Sequence, residues 1–242
     1  MKNWRNFEEL DYRDTRLGEL SLRRRRLPAF GDGDIYEVKL GDEFLMSSLF
    51  TDAEVALAQL GLRDLAAAEL DVVVGGLGLG YTAAAVLAHD AVRSLLVVEG
   101  LKPVIDWHNQ ELLPTSPTMT ADPRCRFIEG DFFELADSDS DGFDPQQPQR
   151  RFHAILLDID HSPAELLNPA HEPFYEVAGL RQLQARLLPG GVYALWSNDP
   201  PDAAFLERLD QVFEQVSHKV IRFDNPFQES VASNTVYLAY VG

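Results

Sequence analysis

The sequence predicts a doubly wound α/β fold, in which a mostly parallel seven-stranded sheet follows a small N-terminal β appendage. From residue 71 onward, short apolar segments typical of buried strands alternate with segments of helical periodicity. Such alternation is typical of a parallel sheet with helices on both faces. The last two strand-like segments, near 217–224 and 233–241, are joined by the short link "NPFQES", which favours an antiparallel pair. We therefore expect an N-terminal arm and small β-hairpin unit over residues 1–50 and a main domain over residues 51–242.

The N-terminal part of the chain has strand signals after its first residues. Residues 1–16 carry mixed charge without a clear period, so we expect a poorly ordered arm there. The segments "GELSLRRRRLP" and "DIYEVKLGDEFLMSS" have the composition of short strands, and Gly-Asp pairs at 31–34 and 41–42 indicate turns. Thr51 or Asp52 is a suitable N-cap for a helix in "TDAEVALAQLGL".

In the main domain, apolar strands and helices follow one another. The predicted strands before the final pair cover residues 71–76, 94–100, 125–131, 152–160 and 192–198. The predicted helices contain the segments "YTAAAVLAHD", "KPVIDWHNQELL", "AGLRQLQARLLPGG" and "PPDAAFLERLDQVFEQ". In the last of these, a helical period places apolar side chains on one face, namely Phe205, Leu209, Val212 and Phe213.

Composition and charge exclude several classes of partner and location. The chain has 242 residues, 45% hydrophobic and 25% charged, which is typical of a globular protein. Its net charge of −18 repels phosphate backbones and argues against a nucleic-acid partner. Cys125 is the only cysteine, so no disulfide can form within the chain, as expected for a cytoplasmic protein. There is no signal-like apolar core and no apolar run of about 18 residues, so we expect neither secretion nor membrane insertion.

A glycine-rich turn follows the first strand of the main sheet. The segment "GGLGLG" places glycine at positions 76, 78 and 80, where the backbone can turn sharply and approach a ligand at the start of a helix. The dinucleotide-binding pattern G-x-G-x-x-G would need glycine at position 81, which is Tyr81. The turn therefore indicates a nucleotide-like ligand that is not a dinucleotide.

Acidic residues end the next three parallel strands. Glu99 ends the second strand, where a carboxylate can accept both hydroxyl groups of a ribose, and Asp131 ends the third, where it can accept an adenine amino group. The fourth strand ends in "AILLDIDHSP", with Asp158 and Asp160. Ligands of open α/β sheets bind beyond the carboxyl ends of the strands. Together these residues predict a site for an adenosine-bearing ligand, with a sulfonium nucleoside as first choice.

Several segments resemble motifs of the spermidine synthases, the polyamine aminopropyltransferases. They are "VVVGGLGLGYTAAAVL", "VVEG", "FIEGDFFEL", "FHAILLDIDHSP" and "LLPGGVYALW", and they are also similar to the wider class I AdoMet-dependent methyltransferases. The resemblance covers residues 17–242, because "GDEFLMSS" resembles the DEF segment of the family's N-terminal β domain. It implies an AdoMet-methyltransferase-like Rossmann fold and a transferase that binds S-adenosylmethionine (AdoMet) or decarboxylated AdoMet.

The resemblance also implies roles for individual residues. The cofactor-binding residues are expected to be Gly76, Gly78, Gly80, Glu99 and Asp131. Asp158 takes the place of the family's catalytic aspartate, with Asp160 as a second catalytic acid, and Tyr175 matches a substrate-loop tyrosine. Ser47 and His161 are expected to face the acceptor, with His161 as an alternative base. The implied acceptor is a small molecule, by expectation an amine, and the family often forms homodimers.

The chain departs from the spermidine synthases in its acceptor half. Gly78 stands where the family loop GGGDGG has an aspartate that holds the aminopropyl amine. Met46, Ser47 and Ser48 replace Tyr-Gln-Glu, and residues 158–163 replace D-S-S-D-P. These changes favour an AdoMet-dependent methyltransferase that acts on a small, cationic acceptor. The alternatives are a polyamine aminopropyltransferase (spermidine synthase) using decarboxylated AdoMet, and a non-catalytic nucleoside-binding module.

Two groups of acidic residues in the sequence resemble metal sites. "DSDSDG" at 137–142 has the first half of a calcium loop, but Pro148 stands where the loop needs a bidentate glutamate, so we expect a flexible surface loop. Asp158 and Asp160 with His161 and His171 could bind Mg²⁺, but their spacing is not that of a regular metal site. We therefore predict no metal.

Overall fold

The computed structural model describes residues 6–28, 31, 33–137, 139–225 and 230–242, which form two sheets. The first sheet contains β1 (Phe7–Thr15), β2 (Gly18–Arg25), β3 (Ile35–Leu40) and β4 (Glu43–Ser47). The second contains β5 (Leu70–Gly75), β6 (Val92–Glu99), β7 (Cys125–Glu129), β8 (Phe152–Leu157), β9 (Leu187–Ser197), β10 (Gln215–Asn225) and β11 (Ser230–Tyr240). The predicted link before β11 lies, over residues 226–229, outside the described residues.

The helices lie mainly between strands of the second sheet. They are α1 (Asp52–Arg63), α2 (Tyr81–Leu87), α3 (Lys102–Asn109), α4 (Ser116–Thr120), α5 (Phe132–Ala136), α6 (Val177–Gln184) and α7 (Ala203–Asp210). A 3-10 helix covers Pro169–Tyr175. α6 is shorter than predicted, since Leu187 already belongs to β9. No helix in the described part of the chain is long and apolar enough to cross a membrane.

The second sheet has the predicted topology, in the order β10-β11-β9-β8-β5-β6-β7. The strands from β9 to β7 are parallel, and β11 pairs antiparallel with both β9 and β10. This confirms the doubly wound, mostly parallel seven-stranded sheet with an N-terminal β appendage. Successive side chains of β5 point to opposite faces of the sheet. Val72 and Val74 pack with α1 and α2 on one face, whereas Val73 packs with α6 and α7 on the other.

Residues 7–15 form a strand, β1, where the sequence predicted a poorly ordered arm. β1 pairs antiparallel with β2, and the arginine run at 23–26 supplies partners for its acidic side chains. Arg24 Nη2 lies 2.5 Å from Glu8 Oε2, for example. The prediction was wrong because a mixed-charge strand has no apolar period and its partners become visible only after pairing. Leu20 and Leu22 of β2 pack into the core of the second sheet, and the division of the chain at residue 50 stays a prediction.

The acidic segment 137–142 is held by a buried arginine, with residue 138 outside the described part. The Arg186 guanidinium donates hydrogen bonds to the carbonyl oxygens of Asp137 and Ser140, and Arg186 Nη1 lies 2.8 Å from Gln149 Oε1. Arg186 is only 2% exposed. The loop is therefore organised around the positively charged guanidinium of Arg186.

We expect Arg186→Met to lower the free energy of unfolding by about 2–4 kcal/mol, because the carbonyl groups of this loop would lose their charged donor. Urea denaturation followed by circular dichroism measures the loss. Arg181→Met, at an exposed position of α6, is the matched control and should change stability little. Equal stability of the two variants would show that Arg186 does not hold the loop.

Candidate active site

A groove runs along the carboxyl ends of the parallel strands and contains two connected cavities. The large cavity has a volume of about 550 Å³ and the small cavity one of about 110 Å³. The glycine loop after β5 and Met46 of β4 line both. Residues 44–47 of the N-terminal sheet line the large cavity, and Arg16, Leu17 and Leu20 line the small one. The N-terminal sheet therefore forms part of the wall of the groove.

The glycine loop adopts backbone conformations that favour glycine. Gly76, Gly78 and Gly80 have φ values of 92°, 46° and 84°. At Gly76 a Cβ atom would clash with the carbonyl oxygen of Asp158, so the loop passes directly against the end of β8. At Gly78 a Cβ atom would lie 2.7 Å from the sulfur of Met46. The space that a side chain at position 78 would need is thus taken by Met46.

Glu99 holds the glycine loop from the end of β6. Its carboxylate accepts the backbone N–H of Leu77 at 3.0 Å and that of Leu101 at 2.8 Å. Desolvation raises the pKa of Glu99, and these backbone hydrogen bonds oppose the shift. Backbone hydrogen bonds from Gly78 and Gly100 act in the same direction, so the Glu99 carboxylate lies among backbone donors at the wall of the small cavity.

A buried histidine that sequence analysis did not single out supports the same loop. His108 of α3 is 0% exposed, and burial lowers its pKa, so the ring is neutral. Its Nε2 lies 2.9 Å from the Gly78 carbonyl oxygen, and its Nδ1 lies 3.1 Å from the Ser116 hydroxyl. Because a carbonyl oxygen only accepts, Nε2 carries the hydrogen and Nδ1 accepts from Ser116. On the buried face of the amphipathic helix α3, this histidine has no sequence signal that separates it from a core residue.

Asp131 lies at the small cavity together with Glu99. One of its oxygens accepts the backbone N–H of Phe133 at 3.0 Å and so caps α5. The other lies 4.0 Å from Arg16 Nη2, at the turn between β1 and β2. The structure thus brings together Gly76, Gly78, Glu99 and Asp131 as predicted, whereas Gly80 lines only the large cavity.

Asp158 faces the large cavity and shares it with a second acid, Glu54 of α1. Asp158 Oδ2 accepts the hydroxyl hydrogen of Thr82 at 2.8 Å. Desolvation raises the pKa of Asp158 to about 6, and desolvation together with the charge of Asp158 raises the pKa of Glu54 to about 8. At neutral pH the pair as a whole therefore holds one proton and one negative charge.

Sequence analysis missed Glu54. An acid in the first turn of a helix has an ordinary explanation, since it interacts favourably with the helix dipole. Only the packing of α1 beside α2 and the end of β8 shows that Glu54 faces a cavity. This acid pair is the most strongly polar feature of the groove.

Asp160 and Tyr175, predicted as catalytic and substrate-binding residues, lie behind the cavity wall. Asp160 is 1% exposed and accepts hydrogen bonds from the Leu167 N–H and the Tyr175 hydroxyl, each at 2.8 Å, while His171 Nδ1 lies 2.9 Å away. Neither Asp160 nor Tyr175 lines a cavity. β8 ends at Leu157, so the chain turns and the two aspartates diverge. Asp160 holds the segment that carries Leu167 to the cavity.

The remaining predicted residues, Ser47 and His161, line the large cavity. His161 Nε2 lies 2.6 Å from Glu43 Oε1, and the Ser47 hydroxyl oxygen accepts the Leu49 N–H at 3.3 Å. No group of three or more His, Cys, Asp or Glu side chains in the described ranges is arranged to hold a metal ion.

The fold and the glycine groove define a methyltransferase-like α/β protein. Comparison with solved structures specifies the fold further. A spermidine synthase in complex with the transition-state analogue AdoDATO is 17% identical, with a TM-score of 0.72 over 97% of this chain and 72% of that chain. A spermidine synthase from Thermotoga maritima is also 17% identical, with a TM-score of 0.71 over 97% and 73% of the two chains.

A third structure, a probable spermidine synthase from Corynebacterium glutamicum, is 14% identical, with a TM-score of 0.65 over 95% of this chain and 79% of that chain. No protein-family model and no curated protein matches the chain by sequence. The chain therefore has a spermidine synthase-like fold with a strongly divergent sequence.

We expect the acid pair to make stability depend on pH. An acid whose pKa is raised by folding binds its proton more tightly in the folded state, so stability falls as pH rises from the ordinary value of 4.5 through the folded value of about 8. Glu54→Gln removes this loss. Between about pH 5 and about pH 9, the melting temperature of the wild type should therefore fall more than that of the variant.

Glu207→Gln, at an exposed position of α7, is the control and should follow the wild type. Parallel melting curves for wild type and Glu54→Gln across this range would contradict the acid pair.

Proposed function

We propose that this protein transfers an alkyl group from a sulfonium nucleoside to an amine, with decarboxylated AdoMet as donor and aminopropyl as the group transferred. The observation that carries the proposal is the acid pair Glu54–Asp158 beside the glycine loop. None of the described side chains lining the large cavity is Lys or Arg. A donor carboxylate would meet negative charge there without a cation to pair with it, which disfavours AdoMet itself.

This proposal reverses the preference that the sequence suggested. The sequence preference for AdoMet rested on the absence of a loop aspartate at Gly78. Two other acids, Glu54 and Asp158, line the same cavity and give it negative charge. The fold likeness to spermidine synthases supports the same choice. The negative charge that disfavours a donor carboxylate thus comes from acids outside the glycine loop.

The small cavity would hold the nucleoside. Glu99 would accept the ribose hydroxyl groups and Asp131 an adenine amino group, since both carboxylates line this cavity. The apolar side chains of Leu17, Leu20 and Phe133 line the same cavity and suit a flat aromatic base. The residues present therefore fit an adenosine-bearing donor.

Asp158 is placed to bind the amine and to receive its proton. In the transfer, a bond forms between the amine nitrogen and the donor carbon while the carbon–sulfur bond breaks; the sulfonium becomes a neutral thioether. The amine has a free pKa of about 10.4 and must lose one proton. With its pKa raised to about 6, Asp158 is a stronger base than an ordinary aspartate. Thr82 orients the carboxylate through its hydroxyl hydrogen bond.

Methyl transfer from AdoMet is the second candidate, and one observation favours it. Met46 occupies the space beside Gly78, so this side of the cavity presents a thioether where the family loop carries a negative charge. A donor carboxylate on that side would meet less repulsion than in a spermidine synthase.

The two candidates release different products. The protein is incubated with putrescine or another primary amine and with each donor in turn. We expect methylthioadenosine from decarboxylated AdoMet, and no S-adenosylhomocysteine from AdoMet. Asp158→Asn should lower the rate by about 10²–10⁴-fold, as expected for loss of a general base. Asp210→Asn, an exposed residue at the end of α7, is the matched control.

S-adenosylhomocysteine as the only product would establish the methyltransferase instead. Binding of both nucleosides without turnover of either would identify a non-catalytic nucleoside-binding module.

We expect Glu99→Ala and Asp131→Ala each to weaken binding of methylthioadenosine by about 1–3 kcal/mol, the loss typical of a charged hydrogen-bond acceptor. Isothermal titration calorimetry measures the change. Glu129→Ala is the control, because Glu129 pairs with Glu99 across the β6–β7 ladder but is exposed. Wild-type affinity in both variants would refute the nucleoside assignment.

A further inference from the structure

The two ends of the large cavity differ in charge. The acid pair lies at one end, beside α1 and the end of β8, and no other described lining side chain is acidic. The opposite end is formed by β9, β10 and β11. β11 lies two strand positions from β8, which places the far end about 10 Å across the sheet from Asp158. A ligand bound to the acid pair can therefore reach a wall of different chemistry.

That wall carries neutral amide side chains. Asn234 Nδ2 of β11 donates a hydrogen bond to Oδ1 of Asn198, the residue after β9, at 3.1 Å. Amides can donate to or accept from a hydroxyl or carbonyl group, but they carry no charge to balance an ammonium. Glu43, the nearest acid on β4, does not line the cavity, and its carboxylate is engaged by His161.

Aromatic side chains complete the far end. Trp196, Phe50 and Phe223 line it, and the rings of Phe50 and Phe223 lie 5.5 Å apart. Such faces bury an apolar or aromatic ligand well and attract a cation less strongly than a paired carboxylate does. With about 550 Å³, the cavity has the size of a site for a compact organic molecule and exceeds what a linear diamine fills.

We propose that the acceptor is a primary amine with one positive charge and an apolar or aromatic body, whose far end is uncharged, and not a linear diamine. This inference rests on the proposed amine alkylation. The acid pair binds the single ammonium, the aromatic side chains cover the body, and Asn198 and Asn234 meet a neutral polar group. A second ammonium at the far end would be desolvated there, with no carboxylate among the described lining residues to pair with it.

The test compares three amines with decarboxylated AdoMet as donor. Putrescine and 4-aminobutanol have the same length and differ only in the far group, an ammonium or a hydroxyl. Phenethylamine has an aromatic body and one amine. Release of methylthioadenosine gives kcat/KM for each. We expect 4-aminobutanol and phenethylamine to exceed putrescine by about tenfold or more, because putrescine alone places a charge at the amide wall.

Asn234→Asp places a carboxylate at the far end with little change in shape. The ratio of kcat/KM for putrescine to that for 4-aminobutanol should then rise by about tenfold. Gln211→Glu adds the same charge at an exposed position after α7 and should leave the ratio unchanged. Because each ratio is measured within one protein preparation, a partial loss of folded protein does not affect it.

Calorimetric titration of each amine into protein saturated with methylthioadenosine separates this inference from the proposed function. If no amine is alkylated, the proposed function fails, and the order of amine affinities still decides the acceptor class. Putrescine that binds or reacts as well as 4-aminobutanol overturns the inference, and so does an absence of binding by all three amines.

Discussion

The end of β5 passes so close to the end of β8 that no side chain fits between them, and the groove depends on this contact. Gly76 faces the carbonyl oxygen of Asp158, and the Asp158 N–H donates to the Gly75 carbonyl oxygen at 2.8 Å. The backbone at both strand ends is thereby held in place. The side chain of Asp158 accepts a hydrogen bond from Thr82 of α2 and lines the large cavity.

The residues that hold the loop are also residues that would meet a ligand. Glu99 accepts the Leu77 N–H of the loop and lines the small cavity, and His108 donates a hydrogen bond to the Gly78 carbonyl oxygen. Neutral His108 and buried Ser116 form a hydrogen-bonded support that needs no charge. A preorganised loop of this kind reduces the entropy that ligand binding would otherwise have to remove.

The sequence motifs predicted only one member of the acid pair in the groove, Asp158, and not Glu54. Gly78 lacks the acid of the family loop, but α1 brings Glu54 beside Asp158, and the low polarity of the cavity makes the two acids share a proton. A half-protonated pair suits a cationic ligand, because it offers one full negative charge and one neutral hydrogen-bonding group. Among the described lining residues, the acid pair lies at one end of the large cavity, and neutral amides and aromatic rings lie at the other.

The sequence by itself determined the sheet, the glycine loop and the acids at its strand ends. Apolar strands, positive-φ glycines and carboxylates after β6 and β7 are local features, and parallel strands bring their carboxyl ends together in any such fold. Tertiary structure decided the rest. β1 is stabilised by pairing with the arginines of β2. Glu54 has the sequence context of an ordinary acid in a first helical turn, and only the packing of α1 beside β8 places it at the cavity. Asp158 and Asp160, two residues apart, would share a face in a continuing strand, but β8 ends at Leu157, so the turn that follows sends one into the cavity and the other into the wall.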